Sequence, residues 1–306
     1  MNSLYKFLFS IVSFFIPTNK NLYIFGSWFG YKFSDNAKYF YLHMLEHAPE
    51  KQVIWFTRCP QVYKELSDKG YPVRYGATLS NVWLHLRAVA VFYSCGANSD
   101  VLGRACNRNT IFFNLWHGTP MKMIGDDVIE SGVGVENSRI NVKNRGVKRV
   151  LAPVFDGVYR SVVNFRSYVL APSKCVAETL DSAFRSLGSK SLILGYPKLD
   201  HFFAARLPCN KRILYAPTYR GEYDSERNIL EEFGFKDYIC KDRALYYQIE
   251  DLFDKPLAYD WPQLVAKFDS YKSSPSIELR QKFYENLDGD SCKRLANEVI
   301  KIIEKS

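Results

Sequence analysis

Short runs of β-branched and aromatic residues alternate with helix-patterned segments from residue 21 to residue 218. NLYIF (21–25), QVIWFT (52–57), AVFYS (90–94) and TIFFNLW (110–116) read as strands buried on both faces. Between them, DNAKYFYLHMLEH (35–47) and QVYKELSDKG (61–70) read as helices, the second closed by Gly70 at a C-cap. This alternation predicts a parallel α/β sheet. The pattern resumes with strand SYVLAPS (167–173), a Ser173-led helix CVAETLDSAFRSLG (175–188), and strands SLILG (191–195) and RILYAPT (212–218). Beyond residue 220 the chain turns acidic and helical and ends in DSCKRLANEVIKIIEK. That last helix has Asp290 or Ser291 as N-cap and an apolar stripe at Leu295, Val299, Ile302 and Ile303. The first half therefore reads as a complete Rossmann-like domain (20–190), and the second (191–306) as a curtailed one with two or three strands.

At 306 residues, with 47% hydrophobic and 24% charged residues, the chain can bury a core, which excludes disordered and fibrous classes. Aromatics reach 16%, which suits clefts or membrane interfaces as well as core packing. A formal charge of +9 calls for an anionic partner. The seven cysteines (Cys59, Cys95, Cys106, Cys175, Cys209, Cys240, Cys292) form no CxxC pair, so reduced thiols are expected rather than disulfides or zinc. LYKFLFSIVSFFI (4–16) is shorter than the roughly 20 residues that span a bilayer. It fits a core helix, a helix lying in the membrane interface, or an uncleaved anchor. The basic run RINVKNRGVKR (139–149) suits a solvated face, or contact with lipid headgroups or a phosphate polymer. It lacks the interleaved aromatics of a nucleic-acid surface.

Of five histidines, only His117 has a chemically suggestive setting, FFNLWHGTPMKMIG (112–125). A buried strand stops there at His-Gly-Thr-Pro, and α/β sheets bind ligands at strand carboxyl ends. The imidazole can serve as general base. Gly118 admits close backbone approach, Thr119 offers a hydroxyl, and Pro120 can open a helix. A structural histidine remains the alternative. His43 and His47 are spaced like two metal ligands on a helix but lack the HExxH glutamate and a third ligand, so packing is expected. Walker A, GxGxxG and GxSxG motifs are absent, and Asp288-Gly-Asp290 is placed for capping. Neither a metal nor a cofactor is implied. Three more turns stand at strand ends: GSWFGYKFSDNAKY (26–39), GYPKLD (195–200) and APTYRGE (216–222), the last carrying Arg220.

Taken in order, GSxxG…SDNAKY, LWHGTPMKMIG, YVLAPS, GYPKLD and ILYAPTYR resemble the CDP-glycerol glycerophosphotransferase family of teichoic-acid and capsule polymerases. The resemblance runs over residues 20–222, resumes at DYICKDRALYYQIEDLF (237–253) and continues through the final helix. It implies a GT-B fold with an acceptor-side N-terminal domain and a nucleotide-side C-terminal one. It implies transfer of a polyol phosphate from a CDP-activated donor to a lipid-linked, phosphate-rich acceptor at the cytoplasmic face of the membrane, releasing CMP; nucleic acid is not a partner. His117 takes the place of the general base. Gly30, Asn36, Gly118, Thr119, Tyr196, Pro197, Thr218, Arg220 and Arg243 stand at substrate-binding positions, the two arginines offsetting phosphate charge.

The chain also departs from the pattern. Between residues 220 and 237 the family carries a stretch on the order of a hundred residues, about the bulk of a Rossmann half. That stretch holds an Arg-x-His-Pro turn and a Ser-Asp-Tyr-Ser-Ser turn; neither occurs here. The expectation is an internal deletion that spares the acceptor-side base and leaves the donor site incomplete. Three readings follow: a shortened polyol-phosphate transferase, a catalytically impaired remnant or membrane-bound accessory that binds acceptor polymer, and a GT-B sugar-nucleotide glycosyltransferase.

Overall fold

Strands that are apolar at every position need cover on both faces, and the chain supplies it with crossover helices. The computed structural model describes Ser13 and residues 15–131, 166–204, 245–247 and 277–306. The elements run β1 (Asn19–Phe25), α1 (Asp35–His47), β2 (Gln52–Thr57), α2 (Pro60–Asp68), β3 (Val73–Tyr75), α3 (Leu79–Arg87), β4 (Ala88–Tyr93), α4 (Ala97–Asp100), β5 (Ile111–Asn114) and α5 (Asp126–Ser131). They continue with β6 (Arg166–Ala171), α6 (Lys174–Ala183), β7 (Lys190–Ile193), α7 (Pro197–Ala204), α8 (Ile277–Phe283) and α9 (Ser291–Glu304). The seven strands form one parallel sheet in the order β3-β2-β1-β4-β5-β6-β7. The chain winds outward from β1 to β3 and then returns to place β4 beside β1. The β1–β4 junction is therefore a topological switch point, where crevices form at strand carboxyl ends.

One face of this sheet carries an aromatic ladder. Phe25, Phe92, Phe113 and Tyr168 are paired in register across β1, β4, β5 and β6. Their rings stack in series at 4.4, 5.0 and 5.3 Å. Phe40 and Tyr41 of α1 close over the ladder, 5.8 and 5.5 Å from Phe25. Offset aromatic pairs contribute about 0.5–1.5 kcal/mol each beyond burial. Leu22, Ile24, Ile54, Phe56 and Val91 pack into a second cluster.

The expected strands and helices are present through residue 188, with α1 and β2 at their expected bounds. Ser173 caps α6 by accepting from Val176 N, and Gly70 holds the left-handed φ of +72° that ends α2. The sequence reading did not single out β3, only three residues long, α3, which begins at Leu79, or the short helices α4 and α5. Lys190–Ile193 pairs with β6 as the seventh strand of the same sheet. The final helix also joins this unit, packing on α1 and α7. Asp290 occupies the expected N-cap position of this helix. Neither the Asp290 nor the Ser291 side chain caps it. Instead, the carboxylate of Asp200 on α7 accepts from Ser291 N (3.0 Å) and Cys292 N (2.7 Å), a tertiary contact that local sequence does not reveal.

Two compact units result. The first comprises residues 1–119, 143–204 and 273–306, and the second 120–142 and 205–272. In the second, Lys122 bridges Leu245, and the Tyr246 hydroxyl donates to Asp127 Oδ2 (2.6 Å) while accepting from Ile124 N (3.2 Å). Strand 212–218 and the acidic helical stretches after residue 220, up to 276, lie outside the described residues apart from 245–247, as does the basic run 139–149. Of the segment 4–16, Ser13, Phe15 and Ile16 are described; Asn107 Nδ2 donates to the carbonyls of Ser13 (3.0 Å) and Ile16 (2.7 Å). Among the described residues, no helix is long and apolar enough to cross a membrane. Five cysteines are free thiols, and Cys209 and Cys240 lie outside the described residues. His43 and His47 stack on each other, ring centroids 4.3 Å apart.

Candidate active site

Three of the turns singled out in the sequence meet at the carboxyl edge of the sheet, all within the first unit. β1 ends at Phe25 and enters the GSWFG turn. Gly26 is required there, because a Cβ would come within 2.4 Å of the Asp100 carbonyl. Gly30, at φ +81°, has its carbonyl held by Thr57 Oγ1 (2.7 Å) and Arg58 N (2.8 Å) at the end of β2. The buried Asp100 fastens this turn to β4. One carboxylate oxygen accepts from Phe29 N (2.8 Å), and the other from Ser94 N (2.8 Å) and Cys95 N (2.7 Å). The Arg58 guanidinium ties down the same loop, donating to the carbonyls of Asn98, Ser99 and Val101.

His117 follows β5. Its ring stacks on Trp116 at 4.3 Å and faces Trp28 at 5.8 Å. Among the described residues, no hydrogen bond occupies either ring nitrogen, which leaves the imidazole free to take a proton from a ligand. Asn36 holds the loop from behind: its amide donates to the carbonyls of Leu115 (2.9 Å) and Trp116 (3.1 Å), and its oxygen accepts from Lys198 N (3.2 Å). Lys198 Nζ donates to the His117 carbonyl (2.6 Å) and pairs with Asp35 Oδ1 (3.2 Å). The Trp28 indole donates to the other Asp35 oxygen. GYPKLD thus reaches both SDNAKY and WHGT.

Backbone strain concentrates here. Among the described residues, the non-glycine positions with positive φ are Trp28 (45°), Phe29 (58°), Asp35 (57°) and Trp116 (54°); Trp28, Asp35 and Trp116 lie around His117, and Phe29 adjoins Trp28. Such conformations cost about 1–3 kcal/mol each and cluster at functional sites. The hydrogen bonds of Asp100, Asn36 and Asn114, whose Oδ1 accepts from Trp116 N (3.0 Å), hold them in place. Burial lowers the pKa of His117. Asp35 and Asp100 oppose that shift, Lys198 adds to it, and the balance stays below the ordinary value. The ring is therefore neutral and basic at physiological pH.

The remaining site residues fall into place around this loop. A Cβ at Gly118 would meet nothing within 4 Å, so its backbone faces open space. Its carbonyl accepts from the Tyr196 hydroxyl (3.2 Å), and burial raises the pKa of that phenol well above its usual value. Thr119 Oγ1 meets the Tyr284 hydroxyl at 3.3 Å. Pro197 begins α7. Asn36 and Tyr196 are both fully buried, so the structure gives them backbone-holding bonds. Thr218, Arg220 and Arg243 lie outside the described residues. Sequence reasoning did not single out Trp28, Asp35, Lys198 or Asp100 as site residues. The first three sat inside the quoted turns. Asp100 carried no signal, because its role is to join the nearby end of β4 to Phe29, 71 positions away after β1.

The family model for CDP-glycerol:poly(glycerophosphate) glycerophosphotransferase matches residues 8–237. The teichoic acid glycerol-phosphate transferase of Staphylococcus aureus is 26% identical over 220 residues, covering 67% of this chain and 51% of that protein. The teichoic acid poly(glycerol phosphate) polymerase of Bacillus spizizenii is 26% identical over 293 residues, covering 84% and 68%. The chain thus spans about half the length of the Staphylococcus aureus relative. A variant structure of the wall teichoic acid polymerase TagF superposes with a TM-score of 0.66 at 14% identity, covering 100% of this chain and 99% of that one. The parallel α/β sheet is thereby the fold of that GT-B-like polymerase. By the extent of the matched model and the turns that meet at His117, the chain belongs to the CDP-glycerol:poly(glycerophosphate) glycerophosphotransferase family.

Proposed function

We propose that this chain transfers glycerol phosphate, or another polyol phosphate, from a CDP-activated donor to a hydroxyl of a teichoic-acid-type acceptor. The observation that carries the reading is the neutral imidazole of His117, with open ring nitrogens, at the carboxyl end of β5 and 5.8 Å from Trp28 in the turn after β1. His117 accepts the acceptor's hydroxyl proton as that oxygen bonds to the polyol-bearing phosphorus. The pyrophosphate P–O bond breaks, and its electron pair leaves with CMP. The Lys198–Asp35 pair keeps the His117 loop in place, while burial limits the ring's protonation. Arg220 and Arg243 are proposed to offset phosphate charge. The net charge of +9 and the apolar segment 4–16 support work at the inner membrane surface on a lipid-linked polymer.

The test is CMP release from CDP-glycerol or CDP-ribitol with membrane acceptor. A positioned base contributes about 10²–10⁴ in rate, so His117→Ala loses that factor while staying folded. Equal release by both proteins overturns the base assignment. No release from wild type overturns transfer. That result favours the second reading, acceptor binding without chemistry, which the missing Arg-x-His-Pro and Ser-Asp-Tyr-Ser-Ser turns support.

A further inference from the structure

The opposite, amino-terminal end of the sheet carries a second concavity of ≈280 Å³ between the start of β1 and the last turn of α9. Tyr23 lines it and is 0% exposed, yet its hydroxyl meets no hydrogen-bond partner. A buried hydroxyl without a partner is costly, so a ligand oxygen that reached it would make a bond the protein does not supply. Burial first, then Glu50 and Glu304, pushes the phenol pKa up to about 12, so the group presents a proton at neutral pH. Lys51 lies 6.0 Å above the Tyr23 ring and also meets Asn21 Oδ1 at 3.2 Å and Glu50 at 3.9 Å. Lys20, on the rim, is exposed. One side of the concavity thus offers a phenol proton and two ammonium groups. The other offers the Glu304 carboxylate beside the aliphatic Ile300 and Ile303.

That pairing selects a ligand with an anionic, acceptor-rich end and a hydroxylated carbon end. We propose that the concavity binds a polyol monophosphate. Its phosphate oxygens accept from Tyr23, Lys20 and Lys51, and its hydroxyls donate to Glu304 over the two isoleucines. The choice of polyol phosphate among hydroxylated anions rests on the transfer reading above; the site itself does not. Along β1, Lys20 stands six positions from Gly26, about 20 Å at ~3.3 Å per residue, and Tyr23 three positions, about 10 Å, so a ligand here lies at the opposite end of the sheet from the His117 loop. The site is one for holding or sensing polyol phosphate.

The test titrates the full chain with glycerol 3-phosphate, inorganic phosphate and glycerol by calorimetry, with no CDP-donor present. Tyr23→Phe keeps the ring against Phe92 and removes only the hydroxyl. It weakens glycerol 3-phosphate binding about tenfold or more, the effect of one hydrogen bond to a charged group. Lys51→Met, which removes the ammonium group and keeps an unbranched apolar side chain, does the same, while His117→Ala binds as wild type does. The proposal is overturned if glycerol 3-phosphate does not bind, or if Tyr23→Phe and Lys51→Met bind like wild type. It is also overturned if His117→Ala alone loses binding, or if inorganic phosphate binds as tightly as glycerol 3-phosphate. CMP release plays no part in this readout, so failure of the transfer reading and failure of this site are separately visible.

Discussion

Replacing Asp100 by Asn changes one atom and removes one charge from the clamp that holds the GSWFG turn to β4. The carboxylate is fully buried and accepts three backbone N–H bonds of 2.7–2.8 Å from Phe29, Ser94 and Cys95. Asparagine keeps one acceptor oxygen. Turned toward Ser94 and Cys95, it still accepts there without charge assistance, and its NH2 then opposes the Phe29 N–H. An orphaned buried donor costs about 1–3 kcal/mol, and the two weakened bonds add about 1 kcal/mol together. The expected destabilisation is therefore about 2–4 kcal/mol, a large share of a typical stability of about 5–15 kcal/mol. Urea denaturation measures it as a fall in midpoint at unchanged slope. Asp100→Ala, which orphans all three donors, falls further. The clamp also holds Phe29 and, through it, Trp28 beside His117. Asp100→Asn therefore lowers kcat/KM on the order of tenfold to a hundredfold, the effect of a misplaced catalytic neighbourhood. A stability change below about 0.5 kcal/mol, or an Ala variant no worse than Asn, refutes the reasoning.

Three further outcomes are expected. Lys198→Met removes a cation that lowers the pKa of His117 and leaves Asp35 unpaired beside the ring, so the acid limb of the pH–rate profile moves to higher pH; an unmoved limb counts against His117 as the titrating base. Burial holds His85 down to about 4 from 6.5, with Nδ1 donating to the Asn81 carbonyl (2.7 Å) and Nε2 buried without a partner. The unfolded chain binds this proton more readily, so stability is lost as pH falls from 6.5 toward 4, by about 3 kcal/mol; a His85→Leu variant lacks this loss in denaturation series at the two pH values. Removing residues 1–17 shifts the protein from the membrane pellet to the supernatant; unchanged pelleting assigns the attachment elsewhere.

The strands and helices of the first half were legible because their signals are local. A run such as QVIWFT states its own burial, and Ser173 or Gly70 states where a helix begins or ends. The turns that carry chemistry were legible as residue types at strand ends. What they do to one another was not. Asn36 and Lys198 looked like members of separate turns, yet they join into one scaffold behind His117.

From the sequence alone came the α/β class, the His117 turn and the family resemblance, because periodicity, turn chemistry and motif order are written in neighbouring residues. Tertiary structure decided everything that depends on long separations. Asp35 and Lys198 are 163 positions apart, Phe29 and Asp100 are 71, and Asp200 reaches 92 residues onward to cap the final helix. It also decided that β7 extends the same sheet, and that Tyr23 lies buried at the far end with an unpartnered hydroxyl. The physical reason is that a side chain's type is local, whereas its charge state, strain and partners come from whatever the fold packs against it.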